Sequence, residues 1–532
     1  MLSPYILSLI ACGLLYYALQ SYKSHKINQE ISEREGCKPA KCLPNRLPLG
    51  IDKLFKVMEA EKAKAYPLLM LGDHEKFGDT YGQKSGPLYT IITRDPENIR
   101  DMLSRKFKDF EIGSARHGCL SPLLGDGIFT QDGAKWEHSR KLLAPMIQRS
   151  TLLNLELVEK HFQKLLGKIG GDGAGEKDGS FFANMKPPLF DLSLELTTEF
   201  LLGDPAIFTG KTGISEASTS DSSVWGTEFA KEYNTAFKWI YKRERLKQFY
   251  WLVNTKELRD SCRATRDIVA RVIGQAYEAL KDNSTSLGQH IAFAPLLHQG
   301  VDTEFVRDQF LNLLLAGRDT SGSLLCWIFY ALSREPGLFK MLKEEMEGLL
   351  GEDRERKPSK SELGRMVLLD QFMTETLRLF PPVPINGRFC KNATTFPRGG
   401  GEDGLSPMLV PKGTLIALST FATHRSTDLY GEDAGKFSIE RWNDNVVNER
   451  MVDWSFHPFI GGPRKCLGER FALDQAKYLT CRVLQHFEKI VAADETGNEL
   501  KQNPEENWVD NVKYHVGLTM SPDAGVFVRL AA

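Results

Sequence analysis

The stretch Phe459-Ile-Gly-Gly-Pro-Arg-Lys-Cys466-Leu-Gly468 decides the fold, and the apolar periodicity of ERFALDQAKYL, which follows it, predicts a helix over 469–487. A cysteine just before a helix lies where backbone N–H groups and the helix dipole lower the pKa of a thiol and stabilise the thiolate that binds metals. The glycines let the loop pack closely against a flat group, and Arg464 can pair with an anion. An isolated cysteine preceded by glycines is more often a buried structural thiol, so the other motifs decide between the two interpretations.

A second motif, Ala316-Gly-Arg-Asp319-Thr320-Ser321, lies inside the pattern that predicts a long helix over 301–333. An acid next to an alcohol can hold and pass a proton, which is the chemistry of general acid catalysis. Thr320 follows Ala316 by four residues, so its hydroxyl could instead hydrogen-bond to the Ala316 carbonyl, as threonines within helices commonly do. For an isolated threonine this second interpretation would be preferred.

Charged residues at helical spacing form a third motif. Glu375 and Arg378 share one face of a helix predicted over 359–379, and Arg441 follows in the segment Ile439-Glu-Arg441-Trp442. An ordinary surface ion pair, which contributes little to stability, is the alternative explanation for the first two residues.

A fourth motif joins an aromatic residue and a cation. Trp136 and Arg140 share one face of a helix predicted over 136–148. The pattern W-x-x-x-R is common and carries little weight by itself. Arg388, within PPVPINGR, adds another cation after the helix that contains Glu375.

The order and content of these motifs, across residues 120–470, resemble those of the cytochrome P450 superfamily, whose haem-binding loop has the pattern F-x-x-G-x-R-x-C-x-G. The resemblance implies a haem-thiolate monooxygenase, an enzyme that inserts one oxygen atom of O2 into a C–H bond of a hydrophobic substrate. It implies that Cys466 is the axial ligand of the haem iron. It also implies that Asp319 and Thr320 are catalytic residues that supply protons for oxygen activation.

The same resemblance assigns the remaining motif residues. Those expected to contact the haem are Trp136, Arg140, Arg388, Phe459, Arg464 and Cys466. Glu375, Arg378 and Arg441 are expected to form a structural triad, and Ile439 stands where the family has proline, which can alter the turn but leaves Arg441 in register. Ala316 occupies the position at which related animal ω-hydroxylases have a glutamate that can esterify the haem. We therefore expect the haem to be held non-covalently, apart from the bond between the Cys466 thiolate and the iron.

At a finer level, stretches such as LLGDGIFTQDGAKWEHSR and ETLRLFPPVPINGR resemble the fungal alkane and fatty-acid hydroxylase branch of this family. That resemblance implies hydroxylation of a long alkyl chain or fatty acid. Electrons are expected from a separate NADPH-cytochrome P450 reductase, because the chain has no flavin or nicotinamide motif of its own. Pocket residues are expected within 112–130, 200–250, 310–317, 384–387 and 514–520, which are mainly apolar. No cation stands out there as the partner of a substrate carboxylate.

Three alternatives stay open at this point. Tailoring oxidation of a fungal secondary metabolite, such as a polyketide intermediate, fits an apolar pocket equally well. A haem sensor or carrier would use the thiolate loop but would not need Asp319 and Thr320. A thiolate-haem isomerase or dehydratase acting on hydroperoxides would not need that pair either, and it would work without reductase or O2.

Composition favours a folded, mainly helical protein. The formal net charge of -1 gives no electrostatic argument for a nucleic-acid partner. The nine cysteines are odd in number and include no Cys-x-x-Cys pair, which disfavours a zinc ribbon or a secreted disulfide framework. Strands predicted at 88–93, 414–420 and 525–530 are too few for a Rossmann pattern. We therefore expect the mainly α cytochrome P450 fold with small β-sheets (α+β), and loops at 167–180, 219–226 and 397–407.

The N-terminal residues differ in kind from the rest. Residues 5–19, YILSLIACGLLYYAL, are uncharged and are followed by two lysines, which predicts a single-pass transmembrane anchor over 1–22 with the remaining chain in the cytosol. The family resemblance implies that this membrane is the endoplasmic reticulum. A cleaved signal peptide is the alternative, although no basic region precedes the apolar run. A basic, proline-rich hinge over 23–50 then leads to one catalytic domain over 51–532. A cytosolic domain also predicts no glycan at the sequons of Asn283 and Asn392.

Overall fold

The structure is a computed structural model that describes residues 4–86, 88–150, 155–170, 180–203, 226–281, 292–443, 446–501 and 506–531. Its α-helices are α1 Pro4–Glu35, α2 Ile51–Lys62, α3 Tyr66–Phe77, α4 Pro96–Arg100, α5 Ser114–Leu124, α6 Gly133–Ser150, α7 Leu155–Gly170, α8 Lys186–Leu202, α9 Gly226–Leu246, α10 Lys256–Lys281, α11 Ala294–His298, α12 Thr303–Leu332, α13 Pro336–Leu350, α14 Lys360–Leu363, α15 Val367–Leu379, α16 Thr420–Thr423, α17 Thr427–Tyr430, α18 Val446–Val452 and α19 Glu469–His486. Its strands are β1 Thr80–Ser85, β2 Leu88–Thr93, β3 Phe110–Glu111, β4 Ser180–Asn184, β5 Ile385–Cys390, β6 Thr394–Gly400, β7 Ser406–Val410, β8 Leu415–Ser419, β9 Lys489–Ala492, β10 Tyr514–Val516, β11 Met520–Pro522 and β12 Phe527–Ala531.

The first of two compact units comprises Met1–Glu111, Ile385–Gly431 and Asn448–Lys465. Its five-stranded sheet has the order β1-β2-β8-β5-β3, in which β2 and β8 are parallel and the other neighbours are antiparallel. β6 and β7 form a separate hairpin. The side chains of one apolar core in this unit include Ile91, Phe110, Phe396, Ile416 and Leu418. The strand that carries Arg388, β5, is thus held between two neighbours.

The second unit comprises Ile112–Pro384, Glu432–Val447 and Cys466–Ala532. It is built around α12, which packs against α8, α10, α15 and α19. Most residues of α12 are buried, as expected for a helix that is apolar on most sides. Asp302 caps its N-terminus by accepting a hydrogen bond from the N–H of Glu304. The sheets β4-β12-β9 and β10-β11 belong to the same unit.

The long helices agree with the sequence predictions, with one exception. α12 and α19 match the helices predicted over 301–333 and 469–487, and the one predicted over 136–148 lies within α6. The helix predicted over 359–379 is divided into α14 and α15. A residue from another helix causes the division. The carboxylate of Glu345 in α13 accepts the N–H groups of Leu368 and Leu369 (2.8 and 3.1 Å) and so caps the start of a new helix.

The strand predictions hold, and one loop prediction is wrong. The segments 88–93, 414–420 and 525–530 coincide with or overlap β2, β8 and β12. The predicted loop 397–407 contains the ends of β6 and β7, because Gly400 pairs with Ser406 across a hairpin and a bulge after Phe396 accommodates the intervening residues. Of the other two predicted loops, residues 171–179 and 219–225 lie outside the described residues, whereas 167–170 belong to α7, Ser180 begins β4 and Gly226 begins α9.

Among the described residues, no helix is both long and apolar enough to cross a bilayer. The predicted anchor over 1–22 is therefore not confirmed. The apolar stretch 5–19 covers 15 residues, whereas about 20 predominantly apolar residues span the hydrocarbon core. The endoplasmic-reticulum location and the domain boundaries at 23 and 51 stay predictions. Asn283 lies outside the described residues, and the side chain of Asn392 donates to the carboxylate of Asp109 (3.3 Å).

Candidate functional site

Cys466 lies just before α19. Residues Gly462–Arg464 form a single 3-10 turn, and Lys465 donates its N–H to the Gly462 carbonyl (3.0 Å). The 18-residue helix begins three residues after the cysteine, at Glu469. Its positive end therefore follows the sulfur, and this is a setting that stabilises a thiolate. Cys466 itself is exposed.

The five other cysteines that follow residue 50 differ from Cys466 because they are buried. Burial raises the pKa of each of their thiols to about 12, so they stay protonated at neutral pH. These buried residues are Cys119, Cys262, Cys326, Cys390 and Cys481. Among the described cysteines after residue 50, Cys466 alone is exposed, and it is therefore the thiol that a ligand can reach.

An uncovered surface lies in the core of the second unit. Residues 308–315 and 322–329 of α12 are buried, but Ala316, Gly317, Thr320 and Ser321 between them are only half-buried. Residues 467–474, around the start of α19, are likewise half-buried or exposed. A Cβ added to Gly468 would have the Cys466 sulfur, 4.0 Å away, as its nearest neighbour, so there is space beside the thiol. A thiol, glycines and apolar side chains on a surface left open in a packed core fit a haem, which is flat and mostly apolar.

Trp136 and Arg140 lie on α6 in the same unit as Cys466. Trp136 is buried, and the guanidinium carbon of Arg140 lies 5.9 Å from the centre of the Trp136 ring. Burial lowers the pKa of Arg140, while the negative charge of a Cys466 thiolate acts in the opposite direction. The two residues that the sequence pairs at helical spacing therefore lie together, and Arg140 lies within electrostatic reach of the candidate ligand.

Three predicted haem contacts, Arg388, Phe459 and Arg464, belong to the first unit. Arg388 is buried on β5, where its Nη1 donates to the side-chain oxygen of Asn386 (2.9 Å) and to the Gly387 carbonyl (2.7 Å). Asn386 is two residues before Arg388, on the same face of the strand, so the strand itself fixes the position of the guanidinium. Phe459 and Arg464 are half-buried in the loop before Cys466.

Asp319 and Thr320 lie next to each other on α12. Oδ1 of Asp319 is 3.2 Å from Nη1 of Arg318, and Oδ2 is buried with no hydrogen-bond partner among the described residues. Burial raises the pKa of Asp319 to about 6, although the charge of Arg318 lowers it. Thr320 donates its hydroxyl to the Ala316 carbonyl (2.5 Å), as the alternative interpretation of the sequence expected. The hydroxyl oxygen can still accept a hydrogen bond while it donates.

Glu375 is fully buried on α15 at the centre of a hydrogen-bond network. Its carboxylate accepts two hydrogen bonds from Arg378, both of 2.7 Å, and one from the backbone N–H of Ser438 (2.9 Å). A fourth comes from the indole N–H of Trp442 (2.8 Å). Nearly every lone pair of the buried carboxylate is thus used, which is the condition under which a buried charge is tolerated.

Arg441 and Trp442 both contact the carboxylate of Glu375, whereas the sequence predicted only Arg441 as its third partner. Nε of Arg441 is 3.8 Å from Glu375, and its guanidinium pairs more closely with Asp433 (2.8 Å). Trp442 was not predicted as a member of this network. The available signal was the tryptophan itself, because its indole N–H can donate a hydrogen bond to a buried carboxylate.

A second group missed by the sequence analysis is a polar clamp, which we define as Asp308, Gln309 and Asn312 of α12. All three side chains are buried. Their oxygens accept the backbone N–H groups of Asp126 (2.8 Å), Ile128 (3.2 Å) and Phe129 (2.9 Å), respectively. The side-chain amide of Asn312 also donates to the Leu124 carbonyl (3.0 Å). The clamp thus holds the segment 124–129 against α12.

Two glycines make this contact possible. A Cβ at Gly125 would lie 2.0 Å from the carboxylate of Asp308, and one at Gly127 would lie 2.1 Å from the amide of Asn312. Asn312 lies one turn before Ala316 and two turns before Thr320, so the clamp holds the segment 124–129 close to the Asp319–Thr320 pair. Two features of the sequence could have predicted the clamp. They are the polar residues inside an otherwise apolar helix and the glycines of GDGIFTQDG.

Comparison with known proteins shows similarity over most of the chain. The cytochrome P450 family model matches residues 56–510. Cytochrome P450 monooxygenase g430 of a Fusarium species is 35% identical over 91% of this chain and 86% of its own length. Cytochrome P450 52A13 of Debaryomyces hansenii is 37% identical over 83% and 81%, and cytochrome P450 52A3-B of Candida maltosa is 36% identical over 90% and 89%. The family match spans every motif described above.

Replacement of Glu375 tests the buried network. Glu375→Gln keeps the size of the side chain but leaves Arg378 charged in the core without its carboxylate. We expect the free energy of unfolding to fall by about 3–5 kcal/mol, measured by urea denaturation followed by circular dichroism. Lys340→Gln, which breaks an exposed pair with Glu344, should change it by less than about 1 kcal/mol. An equal loss of unfolding free energy in the two variants would contradict the role of Glu375 as the centre of a stabilising buried network.

Replacement of Asn312 tests the clamp. Asn312→Leu leaves the Phe129 N–H and the Leu124 carbonyl without their partner, and each such loss costs about 1–3 kcal/mol. We therefore expect hydrogen exchange at the Phe129 amide to become about 10- to 100-fold faster, as measured by mass spectrometry. Asn98→Leu, which removes another buried amide, bonded to Thr80 and Arg398, should leave this exchange unchanged. Unaltered protection in Asn312→Leu would show that the clamp does not hold the segment.

Proposed function

Because this chain belongs to the cytochrome P450 family of haem-thiolate monooxygenases, we propose that it hydroxylates a long alkyl chain, such as that of a fatty acid or an alkane. The observation that carries the proposal is the likeness, over more than four fifths of the chain, to relatives named cytochrome P450 52A. The stretches LLGDGIFTQDGAKWEHSR and ETLRLFPPVPINGR support it, because they resemble the fungal alkane and fatty-acid hydroxylase branch.

We assign the thiolate ligand to Cys466. When bound, the haem supplies the oxidant that transfers one oxygen atom of O2 to a C–H bond, and thiolate ligation favours cleavage of the O–O bond. The exposed sulfur before α19 and the space beside it support this assignment. Trp136, Arg140, Arg388, Phe459 and Arg464 are proposed to hold the haem. The cations among them would pair with its two carboxylates.

Asp319 and Thr320 are proposed to deliver protons. With a pKa near 6, Asp319 can hold a proton in slightly acidic surroundings and release it near neutrality. The orphaned Oδ2 gives this acid an oxygen that is not committed to Arg318. Thr320 can accept a hydrogen bond at the oxygen that donates to Ala316, which would let it orient a water or substrate oxygen.

A separate NADPH-cytochrome P450 reductase is the proposed electron donor, because the chain carries no flavin or nicotinamide motif. We also keep the proposal that the enzyme acts at the cytosolic face of the endoplasmic reticulum. The uncharged run of residues 5–19, followed by Lys23 and Lys26, supports that orientation.

The function is tested by product analysis of the full-length holoenzyme with a reductase. We expect hydroxylated products from long-chain fatty acids or alkanes, identified by mass spectrometry and dependent on both NADPH and O2. Products formed without reductase or O2 would instead favour an isomerase or dehydratase. If only polycyclic or polyketide compounds are oxidised, the secondary-metabolite alternative replaces the proposal.

A pH profile tests the role of Asp319. The acid must hold its proton in order to deliver it, and the protonated fraction falls as pH rises through the pKa of about 6. We expect the fraction of consumed NADPH that yields product to fall over that range in the wild type. Asp319→Asn should abolish this dependence of product yield on pH and lower product formation about 100-fold.

Asp302→Asn is the matched control for Asp319→Asn. It makes the same chemical change on the same helix, at an exposed N-cap that asparagine also fills well. Asp302→Asn should show the same dependence of product yield on pH as the wild type. An unchanged pH step in Asp319→Asn would contradict the proton-delivery role.

A further inference from the structure

α12 places two opposite charges next to each other in the core of the second unit. Nη1 of Arg318 lies 3.2 Å from Oδ1 of Asp319, and the two side chains are only 14% and 6% exposed. Side chains at adjacent positions of a helix do not face each other. The position of the guanidinium beside Asp319 therefore depends on the contacts that Arg318 makes with other helices.

Two neighbouring residues of α9 supply such contacts. Nη2 of Arg318 donates to the side-chain oxygen of Asn234 (2.9 Å). The guanidinium carbon also lies 5.2 Å from the centre of the Tyr233 ring, a distance at which an aromatic ring attracts a cation. The same guanidinium thus contacts α9 through two residues and Asp319 through a third hydrogen-bonding group.

The two residues of α9 differ in exposure. Tyr233 is buried, and its ring stacks on those of Phe229 and Phe237, which lie about one turn away along the helix (ring centres 5.7 and 6.0 Å apart). Asn234 is exposed. Arg318 therefore connects an amide at the surface of the protein to a buried carboxyl group.

Three polar atoms around this contact are buried and have no hydrogen-bond partner among the described residues. They are Oη of Tyr233, Nε of Arg318 and Oδ2 of Asp319. A hydroxyl can both donate and accept, Nε only donates, and a carboxylate oxygen accepts. Because buried polar groups are nearly always paired, three such atoms in one place indicate a functional arrangement rather than simple packing.

The charges of this group act on one another. Burial raises the pKa of Asp319 to about 6, and the positive charge of Arg318 opposes that rise. Burial, and then the negative charge of Asp319, raises the pKa of Tyr233, so that the phenol stays neutral at physiological pH. Arg318 is thus the cation that determines how tightly Asp319 holds its proton.

Helix α8 packs against the same part of α12 with uncharged side chains. A Cβ added to Gly317 would lie 2.5 Å from the hydroxyl of Thr197, and the Phe190 ring lies 6.0 Å from the guanidinium carbon of Arg318. Charged groups on the helices around α12 have partners of their own. These pairs are Glu195 and Glu199 of α8 with His161, Arg266 of α10 with Asp308, Glu375 of α15 with Arg378, and Asp474 of α19 with Lys360.

We propose that Asn234 and Tyr233 of α9 are positioning residues that hold Arg318 beside Asp319 and so control the release of a proton from this acid. The proposal rests on the proposed proton delivery by Asp319 and Thr320, and it adds the helix that regulates this delivery. A guanidinium held in place favours the ionised carboxylate. If the guanidinium is released, burial acts on Asp319 without opposition, and the acid keeps its proton to a higher pH.

The protonation of Asp319 is measured directly in the full-length holoenzyme. The C=O stretching band of its protonated carboxyl is recorded by infrared difference spectroscopy against pH and is identified by its absence in Asp319→Asn. We expect the band to disappear with a midpoint near pH 6 in the wild type. In Arg318→Gln the midpoint should be higher by about 1–3 pH units, because an opposite charge at this distance is lost. Arg318→Lys retains the charge and should lie between the two.

Asn234→Ala tests the contribution of α9 and keeps the test decisive if Arg318→Gln does not fold, because Asn234 is exposed. The midpoint should rise, but by less than in Arg318→Gln. Asn254→Ala is the matched control and should leave the midpoint unchanged. It removes an exposed asparagine whose Oδ1 likewise accepts a hydrogen bond from an arginine, Arg259 (3.4 Å).

A pair of substitutions at Tyr233 tests the aromatic contact. Tyr233→Leu removes the ring and should raise the midpoint, whereas Tyr233→Phe keeps the ring and should not. In every variant, the pH at which product yield falls should change together with the infrared midpoint. A wild-type midpoint in Arg318→Gln, or in both Asn234→Ala and Tyr233→Leu, would overturn the proposal.

The two measurements separate this proposal from the function on which it rests. If the infrared midpoint changes as expected but product yield does not follow it, the proposed proton delivery by Asp319 fails. If product yield follows the protonation of Asp319 but the α9 variants titrate like the wild type, proton delivery stands and the positioning role of α9 is wrong.

Discussion

Burial in apolar surroundings keeps a thiol protonated, whereas the positive end of a helix and a bound metal stabilise the thiolate. The chain keeps five thiols neutral by burying them and leaves Cys466 exposed before α19. In the core of the second unit, Ala316, Gly317, Thr320 and Ser321 of α12 are only half-buried. A haem iron would bind the thiolate form of Cys466, and the haem would cover this half-buried surface.

One helix, α12, positions several parts of the candidate site. α12 carries the polar clamp on the segment 124–129, and then the Asp319–Thr320 pair. Farther along, Ser323 and Trp327 both donate to the carbonyl of Met520, which holds β11. Each bond satisfies a buried polar group, which makes it expensive to break. The segment 124–129 and strand β11 are thus held by the same helix that carries Asp319 and Thr320, and a helix preserves the geometry of a site better than a mobile loop does.

Local patterns in the sequence were enough to predict three long helices, α6, α12 and α19, and three strands. They failed where a partner distant in sequence decides the outcome. Glu345 caps α15 and divides a helix that periodicity predicts as continuous. In the sequence, Asn312 is only a polar residue within an apolar helix. The structure shows that its side chain is hydrogen-bonded to Leu124 and Phe129.

The central claim is that Cys466 supplies the thiolate to the haem iron. The most direct measurement is the absorption spectrum of the reduced, carbon-monoxide-bound protein, recorded for the wild type and for Cys466→Ser, with folding checked by circular dichroism. The wild type should show the red-shifted Soret band typical of thiolate ligation, and the folded variant should lack it. Retention of that band in Cys466→Ser would contradict the claim.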